Sequence, residues 1–375
     1  MMCARIMAGA AGVVISVGVA LAPPAVAGTG EAPGTVTNQV ELAGRFRVDG
    51  AATAARLTYW SRGPRGPMQS TGVVYVPPGP APAGGWPIVA YAHGTTGIAD
   101  QCAFTLEPRV YYLDSLYPEL LRAGYAVVIS DYVGLGTPGT HPYLDGPSQA
   151  RSVIDGVRAA RAVAPELSTR WAVLGQSQGA QAALFTAHLG PVDAPELQLR
   201  GAAATGPPSN LDLLLPLAGP WIPRLPLEKT PAYVAMLLAG LRASAPELDV
   251  DSYLTPIGED ALRVVETECV TEANARLADV PIGAMLARSL NDPALTSAAR
   301  EMMRIPTDGY TIPLFVGQGV TDMEVPPPLT AKLVAELTAS GTDLETHLYP
   351  GDHLGAARAA LPDAVAFLRR VLDPV

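Results

Sequence analysis

Trp171-Ala-Val-Leu174 is a short apolar run that leads into Gly175-Gln-Ser-Gln-Gly179 and then into Ala180-Gln-Ala-Ala-Leu-Phe185, a stretch of helical character. Strand, Gly-x-Ser-x-Gly and helix in that order constrain the fold more than any other feature of the chain. Glycine on both sides of the serine lets the backbone enter and leave a sharp turn almost on top of itself, where a side chain would collide with the chain opposite. Such a turn holds Ser177 Oγ at the tip of the strand. It also leaves the first N–H groups of the helix free to stabilise negative charge beside it. Gly-x-Ser-x-Gly also occurs in ordinary loops, so the reading depends on the rest of the chain.

The rest supplies a sheet. Pro87-Ile-Val-Ala-Tyr-Ala92, Ala126-Val-Val-Ile-Ser130 and Leu199-Arg-Gly-Ala-Ala-Ala-Thr205 are runs with little polar alternation, as are residues 310–317. Such runs suit strands buried on both faces. Leu57–Trp60, Ser70–Pro77 and Leu344–Tyr349 read as further strands, with helices over 111–123, 147–162 and 328–340 and a last one reaching Leu372. Strands alternating with helices predict a mainly parallel sheet in an α/β fold. Residues 28–38 read as a flexible terminus, and 39–57 as the approach to the first strands. From Leu211 to Arg304 no strand pattern is present, five prolines lie between 216 and 231, and helices are expected at 230–243, 260–266, 280–287 and 292–303. This stretch is expected to be a helical cap inserted into a core formed by 28–210 and 305–375. Its Met236, Leu237, Leu238, Met285 and Leu286 either pack internally or also form an acyl-binding face over Ser177, where each buried methylene would contribute about 0.8 kcal/mol.

Two more residues then fall at matching places. Asp322 follows the strand ending near Gly317, and His353 follows the strand ending at Tyr349. The order Ser177, Asp322, His353 is that of an α/β-hydrolase, and the C-terminal ends of parallel strands converge on one edge of a sheet. Hydroxyl, imidazole and carboxylate are what acyl transfer needs: His353 would take the Ser177 proton while Asp322 holds the other ring nitrogen. Glu324 and Asp352 are rivals for the acid. The small, flexible exit His93-Gly-Thr-Thr-Gly97 suits a loop that donates half of an oxyanion hole through the N–H of Thr95 or of Gly94, with the N–H of Gln178 as the other half. His93 precedes the serine, the wrong order for the base, and reads as a structural loop histidine. Asp131, in Asp131-Tyr-Val-Gly-Leu-Gly136, is the best acidic competitor for a catalytic role, but it reads rather as a loop-fixing carboxylate bonded to backbone N–H groups.

Charge and the N-terminus bound the setting. A formal net charge of -10 with no basic tract disfavours nucleic acid as a partner. The five histidines form no ligand cluster, so no metal or other cofactor is expected. Residues 7–22 are an apolar run that ends in Pro23-Pro24 and the small-residue motif Ala25-Val-Ala27. This reads as an export signal cleaved before Gly28, rather than as a membrane anchor, and no second span is evident. Export would place Cys102 and Cys269 in an oxidising compartment and favours a disulfide between them; two free buried thiols are the alternative.

Tyr91-Ala-His-Gly-Thr-Thr-Gly97, the Asp131 loop with His141-Pro-Tyr143, Gly175–Gly179, Thr321-Asp322 and Gly351-Asp-His353 together resemble the bacterial branch of the secretory lipases related to Candida antarctica lipase A. The resemblance covers nearly all of the mature chain, and it differs from the fungal members in the His-Gly-Thr-Thr loop. It implies an α/β-hydrolase with a helical cap, a triad at Ser177, Asp322 and His353, no cofactor, and a secreted lipase or esterase acting on triacylglycerols or simpler esters at a lipid–water interface. A short-chain or aromatic-ester carboxylesterase and an acyltransferase use the same acyl-enzyme. A binding protein on an inactive hydrolase scaffold is the reading from a different class.

Overall fold

The computed structural model describes residues 30–106, 115–225 and 229–373, so the export segment and its cleavage point lie outside the described residues. Nine strands form one sheet: β1 (Val36–Glu41), β2 (Thr53–Gly63), β3 (Gly66–Val76), β4 (Trp86–Ala92), β5 (Ala126–Val133), β6 (Leu167–Gln176), β7 (Gln198–Thr205), β8 (Leu314–Gly319) and β9 (Leu344–Tyr349). Their order is β1-β2-β3-β5-β4-β6-β7-β8-β9. β1, β2 and β3 run antiparallel to their neighbours, and the ladder from β5 through β4, β6, β7 and β8 to β9 is parallel throughout.

Helices α1 (Leu116–Arg122), α2 (Gly146–Val163) and α3 (Gln178–Asp193) follow the early strands. The two-residue period of the strands divides the apolar side chains between two layers. Ile88, Ala90, Val173 and Val316 join α2 and α3 in one cluster, while Val89, Tyr91, Leu174 and Phe315 join α1 and the C-terminal helix in the other. Both faces of the central strands are therefore covered, which is why their sequences are apolar without interruption. This is the α/β-hydrolase arrangement. The expected helix at 111–123 is observed from Leu116; residues 111–114 lie outside the described residues.

Between β7 and β8 the described chain contains helices and short turns: α4 (Thr230–Ser244), α5 (Pro256–Thr267), α6 (Val270–Leu277), α7 (Ile282–Met285) and α8 (Pro293–Met303). They bury a separate apolar cluster, which Ile98, Tyr143 and Leu144 also join. Three local differences from the sequence reading have physical causes. β1 occupies part of the stretch read as a flexible terminus; five of its six residues are exposed, so it carries no apolar alternation to betray it. α5 starts ahead of the expected position because Thr255 caps the N–H of Gly258 and Pro256 fits the first turn. α6 is a helix beyond those expected, although Val270, Ala273 and Leu277 have helical spacing. No helix among the described residues is long and apolar enough to cross a membrane. The final helices are α9 (Pro327–Ala339) and α10 (His353–Leu372).

Cys102 and Cys269 are joined in a disulfide with Cα atoms 5.4 Å apart. Beside it the N–H of Val270 donates to Thr96 O at 2.9 Å, so the α5–α6 junction is tied to the loop that follows β4. The bridge closes a sequence separation of 167 residues. Replacing both cysteines by alanine is expected to cost about 3–5 kcal/mol through the added freedom of the unfolded chain. Urea unfolding of the variant against the oxidised wild type measures this.

Candidate active site

β6 delivers Gly175 and Gln176, and α3 begins at Gln178. A Cβ on Gly175 would lie 1.9 Å from Gly179 O, and one on Gly179 would lie 1.9 Å from Ala92 O at the end of β4. The crowding expected of the turn is thus contact of backbone on backbone. Ser177 pays for it with φ 57° and ψ -125°, a region that costs about 1–3 kcal/mol for a residue with a side chain. Its N–H donates to Thr205 O at 2.9 Å, and its carbonyl accepts from Ala180 and Gln181. The serine side chain is left on a cavity of about 460 Å³ shared with His353, Thr95 and Gln176.

Asp322 follows β8 and His353 opens α10 directly after β9. Their side chains are 1% and 5% exposed, with His353 Nδ1 2.6 Å from Asp322 Oδ2. The other carboxylate oxygen accepts from the N–H groups of Glu324 and Val325 at 2.9 and 2.8 Å. Gln318 Nε2 reaches Oδ2 at 3.2 Å and is itself held by Thr330 through Gln318 Oε1. Burial raises the Asp322 pKa, but the hydrogen bond and charge of His353 and the two backbone N–H groups outweigh it and hold the carboxyl below its ordinary value. The rivals are used elsewhere. Glu324 binds Lys229 and the Tyr233 hydroxyl of α4. Asp352 accepts from the N–H of Gly355 and caps α10.

The Nε2 atom of His353 lies 3.0 Å from Gln176 Nε2. An amide donor there matches the tautomer in which Nδ1 carries the proton and donates to Asp322, leaving an acceptor lone pair on Nε2. Sequence reasoning does not single out Gln176 or Gln318. A buried amide at the end of each apolar strand is the available signal. The ring also sits against Gly206, where a Cβ would come within 2.9 Å of Cε1.

Of the expected oxyanion residues, Gln178 heads α3, where the first N–H groups of a helix have no intrahelical acceptor. Gly94 borders the serine closely: its Cβ position lies 3.5 Å from Ser177 Cβ and 2.7 Å from Gln176 Oε1. Thr95 lines the cavity, and its hydroxyl lies 2.8 Å from the Tyr143 hydroxyl. His93 is buried between Phe104 and Tyr132, with ring centroids 5.0 and 4.6 Å away. Burial lowers its pKa, in keeping with a structural role. Asp131 is fully buried and accepts from the Thr105 N–H at 2.8 Å, the Thr71 hydroxyl at 2.6 Å and the Thr105 hydroxyl. It does not bond the backbone N–H groups of its own loop that the sequence led one to expect; its partners lie in β3 and in the segment after β4, and Thr71 alone leads back to that loop, its Oγ1 lying 3.3 Å from Leu135 O.

Met236, Leu237, Leu238, Met285 and Leu286 are buried inside the insertion's own cluster. The insertion meets the cavity instead through Lys229, Tyr233, Val270, Thr271, Asn274 and Ala275. The packing role of the apolar residues is therefore the observed one.

Candida antarctica lipase A in its closed state superposes with a TM-score of 0.76 at 20% identity, covering 91% of this chain and 83% of that one. The rice cell wall degrading esterase LipA from Xanthomonas oryzae gives a TM-score of 0.69 at 19% identity, covering 91% and 98%. At these identities the likeness is one of fold. Lipase A of Moesziomyces aphidis is 23% identical over 269 residues, which is 68% of this chain and 55% of that protein, so the match spans about half of the relative. The model of the family described as Secretory lipase matches residues 111–373. That span is well over half of the sequence and contains the serine turn, the Asp322 loop and His353, and the chain belongs to the secretory lipase family.

Proposed function

We propose that the protein is an exported serine hydrolase of carboxylic esters, with triacylglycerols or related acyl esters as substrates. The observation that carries the reading is the 2.6 Å contact of His353 with Asp322 on a cavity shared with Ser177. Ser177 Oγ attacks the ester carbonyl while His353 Nε2 takes its proton, and Asp322 stabilises the imidazolium. The oxyanion is held by the N–H of Gln178 together with that of Thr95 or Gly94. As the C–O bond breaks, His353 returns the proton to the departing alkoxide. Water then attacks the acyl-enzyme with His353 as base, which frees the acid and restores Ser177. Because Gln176 Nε2 is the partner of His353 Nε2 in the resting site, it must yield that place to the serine hydroxyl.

Residues 211–304 act as the cap over a core of 28–210 and 305–375, and residues 1–27 as the leader that exports the chain. Export also rests on the family's description as secretory. Leu214, Leu217 and Trp221 are 44%, 64% and 63% exposed at the start of the cap and offer an apolar surface to a lipid–water interface. A short-chain esterase is favoured by a different observation: Lys229, Thr271 and Asn274 make the cap side of the cavity partly polar.

A p-nitrophenyl ester series from acetate to palmitate separates the two, with a maximum at long chains expected for the lipase and at acetate or butyrate for the esterase. Ser177→Ala and His353→Ala are expected to abolish turnover with the fold intact; near wild-type turnover in either would remove that residue from the mechanism. Asp322→Asn is expected to lower kcat by about 10³–10⁴-fold, whereas Glu324→Gln should retain most activity. A depressed folded-state pKa makes the Asp322 contribution to stability complete above its ordinary 3.8 and lost as pH falls through the depressed value. The stability gap between wild type and Asp322→Asn in urea should thus be present at about pH 5 and narrow below about pH 4.

A further inference from the structure

The turn at His141-Pro142-Tyr143 is not used by the reaction just described, yet it touches both sides of the serine. His141 is fully buried, and its Nδ1 lies 2.9 Å from Val133 O. A carbonyl accepts only, so Nδ1 carries the proton and Nε2 is an acceptor. That acceptor meets Gln178 Nε2 at 3.0 Å. Gln178 Nε2 also donates to Gln149 Oε1 at 2.6 Å, Gln149 Nε2 donates to Gln181 Oε1 at 3.0 Å, and Gln181 Nε2 ends on Met303 O at 3.0 Å. Burial lowers the His141 pKa to about 4, so the acceptor persists at neutral pH.

Two residues further on, the buried Tyr143 places its hydroxyl 2.8 Å from Thr95 Oγ1. The turn has little freedom of its own. A Cβ on Gly134 would lie 2.7 Å from His141 N, and one on Gly240 of α4 would lie 2.5 Å from Tyr143 O. One rigid turn thus grips the side chains of Gln178 and of Thr95, the latter one of the two residues proposed for the first oxyanion donor. Donors of this kind stabilise the transition state only when they are held in place before charge develops. A buried, mutually hydrogen-bonded set of side chains does that better than a solvated one.

We propose that His141 and Tyr143 are positioning residues for the oxyanion hole, His141 through the side chain of Gln178 and Tyr143 through the side chain of Thr95. This rests on the ester-hydrolase reading. Both act by aiming the two N–H groups, and neither side chain lines the cavity.

The test uses Tyr143→Phe, His141→Leu and His141→Gln in the full mature chain. It measures thermal unfolding, the fraction of Ser177 labelled by a serine-directed phosphonate, and kcat and KM on the best p-nitrophenyl ester. Loss of one oxyanion donor typically costs about 10²–10³-fold in kcat, and loss of its support should cost less, on the order of 10-fold for Tyr143→Phe and 10–100-fold for His141→Leu. KM should stay within about twofold, since ground-state binding is not removed. His141→Gln retains an acceptor at the reach of Nε2 and should recover much of the loss. Tyr143→Phe deletes one oxygen and keeps the ring, so it remains informative if His141→Leu fails to fold. Folded variants with wild-type kcat per labelled serine overturn the proposal, as does a loss that appears in KM alone. A wild type without turnover on any ester of the series overturns the ester-hydrolase reading itself, and that outcome is distinct from active wild type with unaffected variants.

Discussion

The site depends on one close contact between backbones. Gly179, at the start of α3, lies against the last carbonyl of β4, and Gly175 lies against Gly179 across the turn. β4 and β6 are parallel neighbours with Ala92 opposite Gly175, so the ends of the two strands are at one level. With no side chain to separate them, α3 starts directly over the β4 exit. The strained Ser177 dihedrals and the nearness of Gly94 to the serine both follow from that approach. The strain is tolerated because the residues around it are held by the parallel ladder and by the Ser177 N–H bond to Thr205.

The same sheet edge collects the other chemistry. The strand-end rule brings Asp322 and His353 near Ser177, but the rule does not decide which carboxylate faces the ring. Local hydrogen bonding does. Asp322 is turned inward by two N–H groups of its own loop and by Gln318, Asp352 is held by the helix start it caps, and Glu324 is drawn toward the insertion by Lys229 and Tyr233. Three acids within or beside two loops thus acquire separate tasks from their immediate partners.

Much of this is legible in the sequence. Strands buried on both faces stand out as unbroken apolar runs, and Gly-x-Ser-x-Gly needs only local sterics to be read. The order of Ser177, Asp322 and His353 then follows from topology. β1 escapes because nearly all of its side chains are exposed, and α6 because it is only eight residues long. Gln176 and the amide chain from Gln178 to Gln181 escape because their partners lie apart from them in sequence, whereas Gln318 escapes although Asp322, Val325 and Thr330 are all close by in the chain. His353 is 177 residues from Gln176, and His141 is 37 from Gln178. A buried glutamine at the end of an apolar strand marks a polar contact without saying with what.

The insertion shows how far packing and function can separate. Its longest apolar helix, α4, turns Met236, Leu237 and Leu238 inward, because a layer of helices must bury its apolar face, here in a cluster that Ile98, Tyr143 and Leu144 of the preceding segments also join. What remains for the cavity is the N-terminal end of α4 and one face of α6. Each of these is fastened to a loop that carries part of the proposed machinery: α6 through the disulfide and the Val270 bond to the Thr95 loop, α4 through Lys229 and Tyr233 to the loop of Asp322. The side of the insertion that lines the cavity is therefore governed less by its hydrophobicity than by these attachments. They oblige small and polar residues to stand where a purely apolar acyl channel would have required leucines.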